Sequence, residues 1–183
     1  MRISLELARH NPIYQDMGTK FFFYFLYIAF AMTNMGGQGI GLWDEEDEFY
    51  YDMLRTDHHV FPIKIRSMVG LIPLFAVETL EPGLLDELPE FARRLKWFLE
   101  YRPDLARLVS RWCEPGLGER RLLSLLRGHR MKALFRRMLD PEEFLSDHGV
   151  RSLSKQHEAH PYEMELQGEH YSVRYQPGES DTD

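Results

Sequence analysis

The sequence is poor in cysteine and has no long uninterrupted apolar run. Its one cysteine, Cys113, excludes an intrachain disulfide and a zinc site built from several cysteines, and we interpret it as a semi-buried structural thiol. The most apolar run, FFFYFLYIAFAM at residues 21–32, has 12 residues, whereas a helix needs about 20 to cross a bilayer. We therefore predict a buried helix over this run rather than a membrane span.

Several functional signatures are also missing. The chain has no P-loop, no Gly-x-Gly-x-x-Gly dinucleotide fingerprint and no Gly-x-Ser-x-Gly nucleophile elbow. Its first residues, MRISLELARHNP, carry charges throughout and lack the apolar core of a signal peptide, so we predict a cytoplasmic location. The net charge of −7 disfavours binding to the phosphate backbone of nucleic acids, and we expect neither a nucleic-acid nor a membrane partner.

The histidines do not have the spacing of a metal site. The segment HEAH, residues 157–160, resembles the zinc motif His-Glu-x-x-His but is one residue short, and Pro161 would end a helix there. His58 and His59 are adjacent on a predicted hairpin tip, so their side chains point apart. We therefore expect no metal site and no cofactor.

The residues that are present indicate a globular protein. A chain of 183 residues, with 44% hydrophobic and 28% charged residues, is long enough to bury the core of one domain. Helical spacing begins at Ile3, and Asn11 and Pro12 suit the start of a longer helix that reaches about Asn34. The glycine-rich segment GGQGIG, residues 36–41, is predicted to stop that helix.

Two β-hairpins are predicted among the remaining helices. Strand-like runs at residues 49–54 and 60–65 flank RTDHH, and residues 162–175 alternate in polarity around the turn QGE. Ser67 is interpreted as the N-cap of the helix that follows it. Prolines recur at spacings that suit the first turns of helices, with a kink as the alternative at the first of them: Pro73, Pro82, Pro89 and Pro103.

A basic stretch, GERRLLSLLRGHRMKALFRRMLD, occupies residues 118–140. We interpret it as a pair of helices whose arginines face solvent. The alternative is a surface that binds an anion or a partner protein.

The segment LWDEEDEFYYD, residues 42–52, combines carboxylates with aromatic side chains. Carboxylates such as Asp44 and Glu46 accept strong hydrogen bonds from sugar hydroxyls, and Trp43 or Tyr50 has a flat face that stacks on a sugar ring. Arg66 is placed to reach the same site. Two alternatives remain, a calcium loop without the EF-hand spacing and a solvated turn before a hairpin.

Long ordered blocks of the sequence resemble the bacterial glucosidase-like branch of glycoside hydrolase family 63. The resemblance spans nearly the whole chain and is far more specific than a short motif. The blocks are NPIYQDMGTKFF, GIGLWDEEDEFYYD, KIRSMVGLIPLFAVETLEP, RLLSLLRGHRMK and FLSDHGVRSLS.

The resemblance implies a mainly α fold, a partial (α/α) toroid of six helical hairpins with two small β-hairpins inserted in barrel loops. Residues 21–32 would form an inner barrel helix, and residues 1–183 would be a single partial domain of the larger barrel. The implied activity is hydrolysis of α-glucosidic or related linkages with inversion, by an acid and a base carboxylate on opposite sides of the bond. In the family, both catalytic carboxylates lie outside the segment that this chain matches.

The resemblance therefore predicts a substrate wall without catalytic residues. The predicted substrate-binding residues are Trp43, Asp44, Glu46, Tyr50 and Arg66, and the predicted ligand is an α-glucoside or a small glycosylated solute. Self-association through exposed barrel helices is a further expectation. The alternative function is a non-enzymatic helical module that binds carbohydrate or acts as an oligomeric scaffold.

The chain departs from the family pattern at three places, one of which is the hairpin tip RTDHHVFP, which is shorter than usual in the family. The family commonly has glycine where Glu48 stands, and glycine adopts positive φ without strain, so we expect the turn to differ here. The family commonly has FFEHF where residues 21–25 read FFFYF, which removes polar atoms from the predicted inner helix.

Overall fold

The computed structural model describes residues 1–34, 39–56, 59–109 and 114–178. The structure is 44% helical and 22% strand, and the strands of its described residues pair in five two-stranded antiparallel sheets. In chain order the elements are α1 Arg2–Ala8, α2 Tyr14–Thr33, β1 Trp43–Asp44, β2 Phe49–Tyr50, β3 Asp52–Arg55, β4 Val60–Ile63, a 3-10 helix Met68–Phe75, β5 Val77–Leu80, α3 Leu84–Glu87, α4 Pro89–Tyr101, α5 Pro103–Ala106, a second 3-10 helix Leu117–Glu119, β6 Arg121–Ser124, α6 Gly128–Met138, β7 Leu145–Ser146, β8 Gly149–Val150, α7 Gln156–Ala159, β9 Tyr162–Leu166 and β10 Glu169–Val173.

The chain forms two compact units. The first consists of Met1–Gly41 and Pro73–His129, and the second consists of Leu42–Ile72 and Arg130–Asp183. Compact units of this size can be separate domains or parts of one domain. The prediction that residues 1–183 form one partial domain therefore stays a prediction.

The core of the first unit lies between α2 and α4. Phe22 of α2 meets Phe91 and Phe98 of α4 edge-on, with ring centroids 6.4 Å and 5.9 Å apart. Edge-to-face contacts at these distances are favourable in addition to the burial of the rings. The buried cluster around them contains Leu5, Ala8, Leu26, Ala29, Leu80, Leu84, Leu88, Leu95, Leu105, Val109, Leu123 and Leu125.

Two residues of α2 determine how α1 and α4 pack against it. Gly18 lets α1 approach closely, because a Cβ at this position would lie 2.8 Å from Cδ2 of Leu5. Gln15 is buried, and its Oε1 accepts a hydrogen bond of 3.0 Å from the backbone N–H of Phe91. That N–H belongs to the first turn of α4, where backbone donors lack intrahelical acceptors. Gln15 thus caps a helix other than its own.

The second unit is built around a pair of buried aromatic rings. Phe49 stacks on Phe144 with centroids 5.9 Å apart, and the ring of Tyr51 lies 5.3 Å from that of Phe49. Gly70 passes directly over this group, since a Cβ there would lie 2.3 Å from Cε1 of Phe49 and 2.5 Å from the carbonyl oxygen of Tyr50. Only a residue without a side chain fits at this position.

The predicted toroid of helical hairpins is wrong. A toroid of that kind needs repeated pairs of long antiparallel helices, but within the described ranges only α2, α4 and α6 exceed ten residues, at 20, 13 and 11. Short strands occupy much of the remaining chain, and the fold is a mixed arrangement of helices and small sheets. The prediction failed because prolines, glycines and strand pairing shorten the helices.

Several local predictions are confirmed. The second hairpin forms from β9 and β10, and both residues of its loop, Gln167 and Gly168, have positive φ, at 54° and 85°, as a type I′ turn requires. Pro89 and Pro103 each begin a helix. The hydroxyl of Ser67 accepts a 3.3 Å hydrogen bond from the N–H of Val69 at the start of the 3-10 helix, as predicted for an N-cap.

Other local predictions are only partly correct. In the first hairpin β4 pairs with β3, whereas β2 pairs with β1 instead of extending β3. The basic stretch contains one helix, α6, because its first part forms β6 and pairs with β5. Residues 36–38, His58 and Cys113 lie outside the described residues. In the part of the chain that the structure describes, no helix combines the length and apolarity needed to cross a membrane.

Candidate functional site

The acidic-aromatic segment forms a tight antiparallel hairpin in the second unit. Trp43 pairs with Tyr50 across the two strands, and Asp44 pairs with Phe49. Because side chains alternate along a strand, the Trp43–Tyr50 pair lies on one face of the hairpin and the Asp44–Phe49 pair lies on the other. The four residues between the strands, 45–48, form the turn.

The first face of the hairpin is an aromatic pair covered by an arginine. The rings of Trp43 and Tyr50 meet at 66° with centroids 4.9 Å apart, and the guanidinium carbon of Arg130 lies 4.9 Å from the Trp43 ring centroid. Arg130 also forms a 3.1 Å ion pair with the exposed carboxylate of Glu45. Tyr50 is buried, and this burial raises the pKa of its hydroxyl. We call Trp43, Tyr50 and Arg130 the tryptophan corner.

Two hydrogen-bond donors in the tryptophan corner lack acceptors. The Nε1–H of Trp43 and the Nε–H of Arg130 are both closed off from solvent, and neither contacts an acceptor among the described residues. A buried donor without an acceptor destabilises the fold by roughly 1–3 kcal/mol. A hydroxyl oxygen that reached these groups would remove that cost.

The second face of the hairpin is neutralised by a lysine. Asp44 Oδ1 accepts hydrogen bonds from the backbone N–H groups of Glu46 and Asp47, at 3.0 Å and 2.8 Å. The Lys64 ammonium lies 2.9 Å from Asp44 and 3.0 Å from Asp47. The N–H of Asp47 and then Lys64 hold the pKa of Asp44 below its ordinary value. Asp44 therefore builds the turn, and Lys64 balances the charge of both aspartates.

Arg66 joins this turn to the rest of the second unit. Its guanidinium lies 2.9 Å from Asp47 and 3.4 Å from Glu143, and its Nε–H donates a 3.1 Å hydrogen bond to the Tyr51 hydroxyl. It also contacts the side-chain oxygen of Gln156. Burial acts to lower the pKa of Arg66, but the hydrogen bond to Tyr51 and the charges of Glu143 and Asp47 outweigh it and raise the pKa.

The carboxylates around Arg66 are shared with other cations. Glu143 also contacts Arg137, whose guanidinium donates to the backbone carbonyl oxygen of Asp47. Burial acts to raise the pKa of Asp47, but the hydrogen bond from Lys64 and the positive charge of Arg66 outweigh it and lower the pKa. We call Asp44, Asp47, Lys64, Arg66, Arg137 and Glu143 the ion-pair network.

A buried histidine fixes the backbone at Arg66. The Nε2 atom of His157 accepts a 2.9 Å hydrogen bond from the backbone N–H of Arg66, and its Nδ1 lies 3.1 Å from the carbonyl oxygen of His160. The ring is thus a neutral tautomer with the proton on Nδ1, which donates to His160. The HEAH segment therefore has a structural role, and among the described residues no cluster of three or more potential ligands is placed to hold a metal ion.

The turn adopts a left-handed conformation at the position where the resemblance expects glycine. Glu48 has φ of 48°, which few residues other than glycine, asparagine and aspartate adopt. Its side chain is largely exposed and lies 3.7 Å from Arg136. The backbone at Glu48 therefore adopts a conformation that glycine favours, and it accommodates glutamate at some cost in strain. Whether the turn differs from that of the family stays a prediction.

The structure divides the five predicted site residues among three places. Trp43 and Tyr50 share the tryptophan corner, whereas Asp44 and Arg66 belong to the ion-pair network on the other face of the hairpin. Glu46 is exposed on the turn between them.

Sequence reasoning missed the charged partners of these residues. Arg130 was one arginine of a helix assigned to solvent, and its position over an aromatic ring has no local sequence signal. Lys64 and Glu143 come from parts of the chain distant from the turn. The signal that does exist is the excess of carboxylates in residues 44–48, since so many adjacent acids require cations nearby.

Comparisons with known proteins give one relative and no function. No protein-family model matches the chain, and no solved structure matches it. An uncharacterized protein of Saccharomyces cerevisiae, YMR196W, is 44% identical over 194 aligned residues. The match covers 100% of this chain but 18% of the yeast protein, so the chain spans less than a fifth of that relative's length.

Proposed function

We propose that the chain is a segment of a glycoside hydrolase that cleaves α-glucosidic or related linkages with inversion, and that it supplies part of the sugar-binding wall. The observation that carries the proposal is the tryptophan corner beside the exposed carboxylates of Glu45 and Glu46. Carbohydrate recognition combines these two elements, because the faces of sugar rings are apolar and their hydroxyls donate to carboxylates.

The geometry assigns different roles to the predicted residues. Trp43 is half-buried and contacts the sugar, and Glu46 accepts hydrogen bonds from its hydroxyls. Tyr50 is buried, so it positions Trp43 rather than contacting the ligand itself. Asp44 and Arg66 hold the shape of the turn through the ion-pair network.

The electrostatics of the network argue against two of its carboxylates as the general acid of an inverting hydrolase. An inverting hydrolase needs one carboxyl group that is protonated near neutral pH and a second that activates water. Asp44 and Asp47 have pKa values below their ordinary range and are paired with Lys64 or Arg66. Neither therefore suits the role of general acid. Following the resemblance, the proposal assigns the catalytic pair to parts of a longer protein.

Two further observations support the family proposal without testing it. The left-handed backbone at Glu48 suits the glycine that the resemblance expects there. The yeast relative shows that a chain like this one occurs within a much longer protein. A cytoplasmic location is also part of the proposal, and fractionation of cells that express the protein tests it.

Binding of α-glucosides by variants of the tryptophan corner tests the proposal. We expect methyl α-D-glucoside or maltose to bind weakly to the chain and Trp43→Ala to weaken that binding at least tenfold. Trp97→Ala is the matched control, because Trp97 is an exposed tryptophan in the first unit. Equal affinities of the two variants would exclude the tryptophan corner as the sugar site.

An activity assay tests the second part of the proposal. We expect the purified chain to release no glucose from maltose or from nitrophenyl α-glucoside. Turnover that is lost on substitution of a carboxylate in this chain would show that the catalytic residues are present after all.

The second candidate function is a non-enzymatic scaffold, and one observation favours it. The helix α2 presents large apolar side chains to solvent, among them Phe21, Tyr24 and Ile28. A scaffold would self-associate through this face without binding sugar, so the binding experiment separates the two candidates.

A further inference from the structure

The helix α2 has a second apolar face that the described residues leave exposed. Ile13, Met17, Phe21, Tyr24 and Ile28 are 68%, 46%, 40%, 49% and 54% exposed. At about 100° per residue, the five positions fall within about 80° of the helix circumference. We call these five residues the α2 stripe.

The α2 stripe lies opposite the face that packs into the core. The buried residues of α2 include Phe22, Leu26 and Ala29, which project from the other side of the helix. A helix with solvent on one side normally carries polar residues there, and contiguous apolar patches of several hundred Å² mark interaction sites. Lys20 borders the stripe with its Nζ 5.6 Å from the centroid of the Tyr24 ring, so its charge lies over an aromatic face.

We propose that the α2 stripe is the interface of a homodimer in which the α2 helices of two copies pair antiparallel. The stripe is self-complementary about a two-fold axis near Phe21. In that register Ile13 of one copy meets Ile28 of the other, and Met17 meets Tyr24. A two-fold interface requires such a match, because the same surface contributes to both sides.

The size of the stripe suits a weak dimer. A large side chain with about half of its surface exposed contributes on the order of 100 Å², so five such residues contribute roughly 500 Å² per copy. The pair would bury about 1,000 Å², which is the lower limit for a specific interface. We therefore expect a weak and reversible dimer.

Analytical ultracentrifugation over a wide range of concentration tests the proposal. We expect a monomer–dimer equilibrium whose dissociation constant rises at least tenfold in Tyr24→Ser and in Ile28→Ser. The matched control is Ile3→Ser, an exposed apolar residue of α1 outside the stripe, which leaves the constant unchanged. Unchanged circular dichroism and melting temperature show that each variant is folded.

Disulfide trapping tests the orientation. In a Cys113→Ser background, Phe21→Cys lies near the two-fold axis, and the two copies crosslink on oxidation. Ile28→Cys lies about 11 Å along the helix from the axis, so its two copies stay about 22 Å apart and do not crosslink. A monomer at all concentrations, an Ile3→Ser effect equal to that of the stripe variants, or crosslinking through Ile28→Cys would overturn the proposal.

Discussion

Replacement of Arg66 by methionine removes the cation at the centre of the ion-pair network. Methionine keeps the length and much of the apolar contact of the arginine side chain, so the change isolates the guanidinium. The side chain of Arg66 is 13% exposed, and those of Asp47 and Glu143 are 23% and 14% exposed. The substitution therefore leaves two partly buried carboxylates without one of their cations.

The expected loss of stability depends on the cations that still neutralise Asp47 and Glu143 in the variant. Removal of one partner from a fully buried ion pair costs about 3–5 kcal/mol. Here Asp47 keeps Lys64 and Glu143 keeps Arg137, and both carboxylates retain some contact with water. We therefore expect a loss of about 2–3 kcal/mol in Arg66→Met, and a smaller loss in Arg66→Lys, which keeps the charge but not the planar set of donors.

Urea denaturation and hydrogen exchange measure the effect. Arg66→Met is expected to lower the unfolding midpoint and to speed amide exchange in residues 42–66 and 143–157, because Arg66 joins these segments. Arg93→Met is the control, since Arg93 pairs with Glu90 on an exposed helix surface and its loss should have no measurable effect. If both variants unfold at the same urea concentration, the ion-pair network does not hold this unit together.

Three further predictions concern the second unit. Gly70→Ala should destabilise by at least about 2 kcal/mol in urea titrations, because its Cβ would lie 2.5 Å from a carbonyl oxygen of β2. Gly128→Ala should not destabilise, because its Cβ would meet no atom of the surrounding structure within 4 Å and alanine favours the helix. Glu48→Gly should stabilise by up to about 1 kcal/mol, since relief of the positive φ outweighs the entropy of glycine; a destabilised variant would contradict this. The lowered pKa values of Asp44 and Asp47 mean that their contribution to stability is present above about pH 4 and is lost as the pH falls through their folded values. Urea midpoints between pH 2.5 and 7 should show this loss, and Asp47→Asn should flatten it.

Local signals in the sequence predicted the helices and turns that depend on neighbouring residues. The apolar run at residues 21–32 indicated a helix, and α2 is present. The turn at Gln167 and Gly168 was predictable, because a two-residue hairpin loop requires positive φ angles and glycine adopts them readily. The helix start at Pro89 was also predictable, because the fixed φ of proline suits the first turn of a helix whatever lies elsewhere in the chain.

Features that depend on distant parts of the chain were not predictable. The strand β6 has a sequence that also suits a helix, and its pairing with β5 some forty residues away decides its conformation. The burial of α2 was mispredicted for the same reason. An apolar run indicates a buried helix but does not show which residues cover it, and one face of α2 is exposed. The toroid predicted from the resemblance required such long-range packing throughout, and the strands of the structure contradict it.

The candidate site shows the same limit. Side chains alternate along β1 and β2, so Trp43 and Asp44 lie on opposite faces of the hairpin. The sequence is consistent with this separation but does not show which residues contact each face. Arg130 and Lys64 decide the chemistry of the two faces, and neither lies close to the turn in sequence.

The proposed sugar site is tested most directly by the indole N–H signals of the three tryptophans in a nitrogen-15 NMR spectrum. Titration with methyl α-D-glucoside should shift the Trp43 indole signal in a saturable manner and leave the Trp97 signal in place. Assignment by single Trp→Phe variants identifies each signal. An unchanged Trp43 signal at saturating sugar, or equal shifts at Trp43 and Trp97, would contradict the assignment of the tryptophan corner as a carbohydrate site.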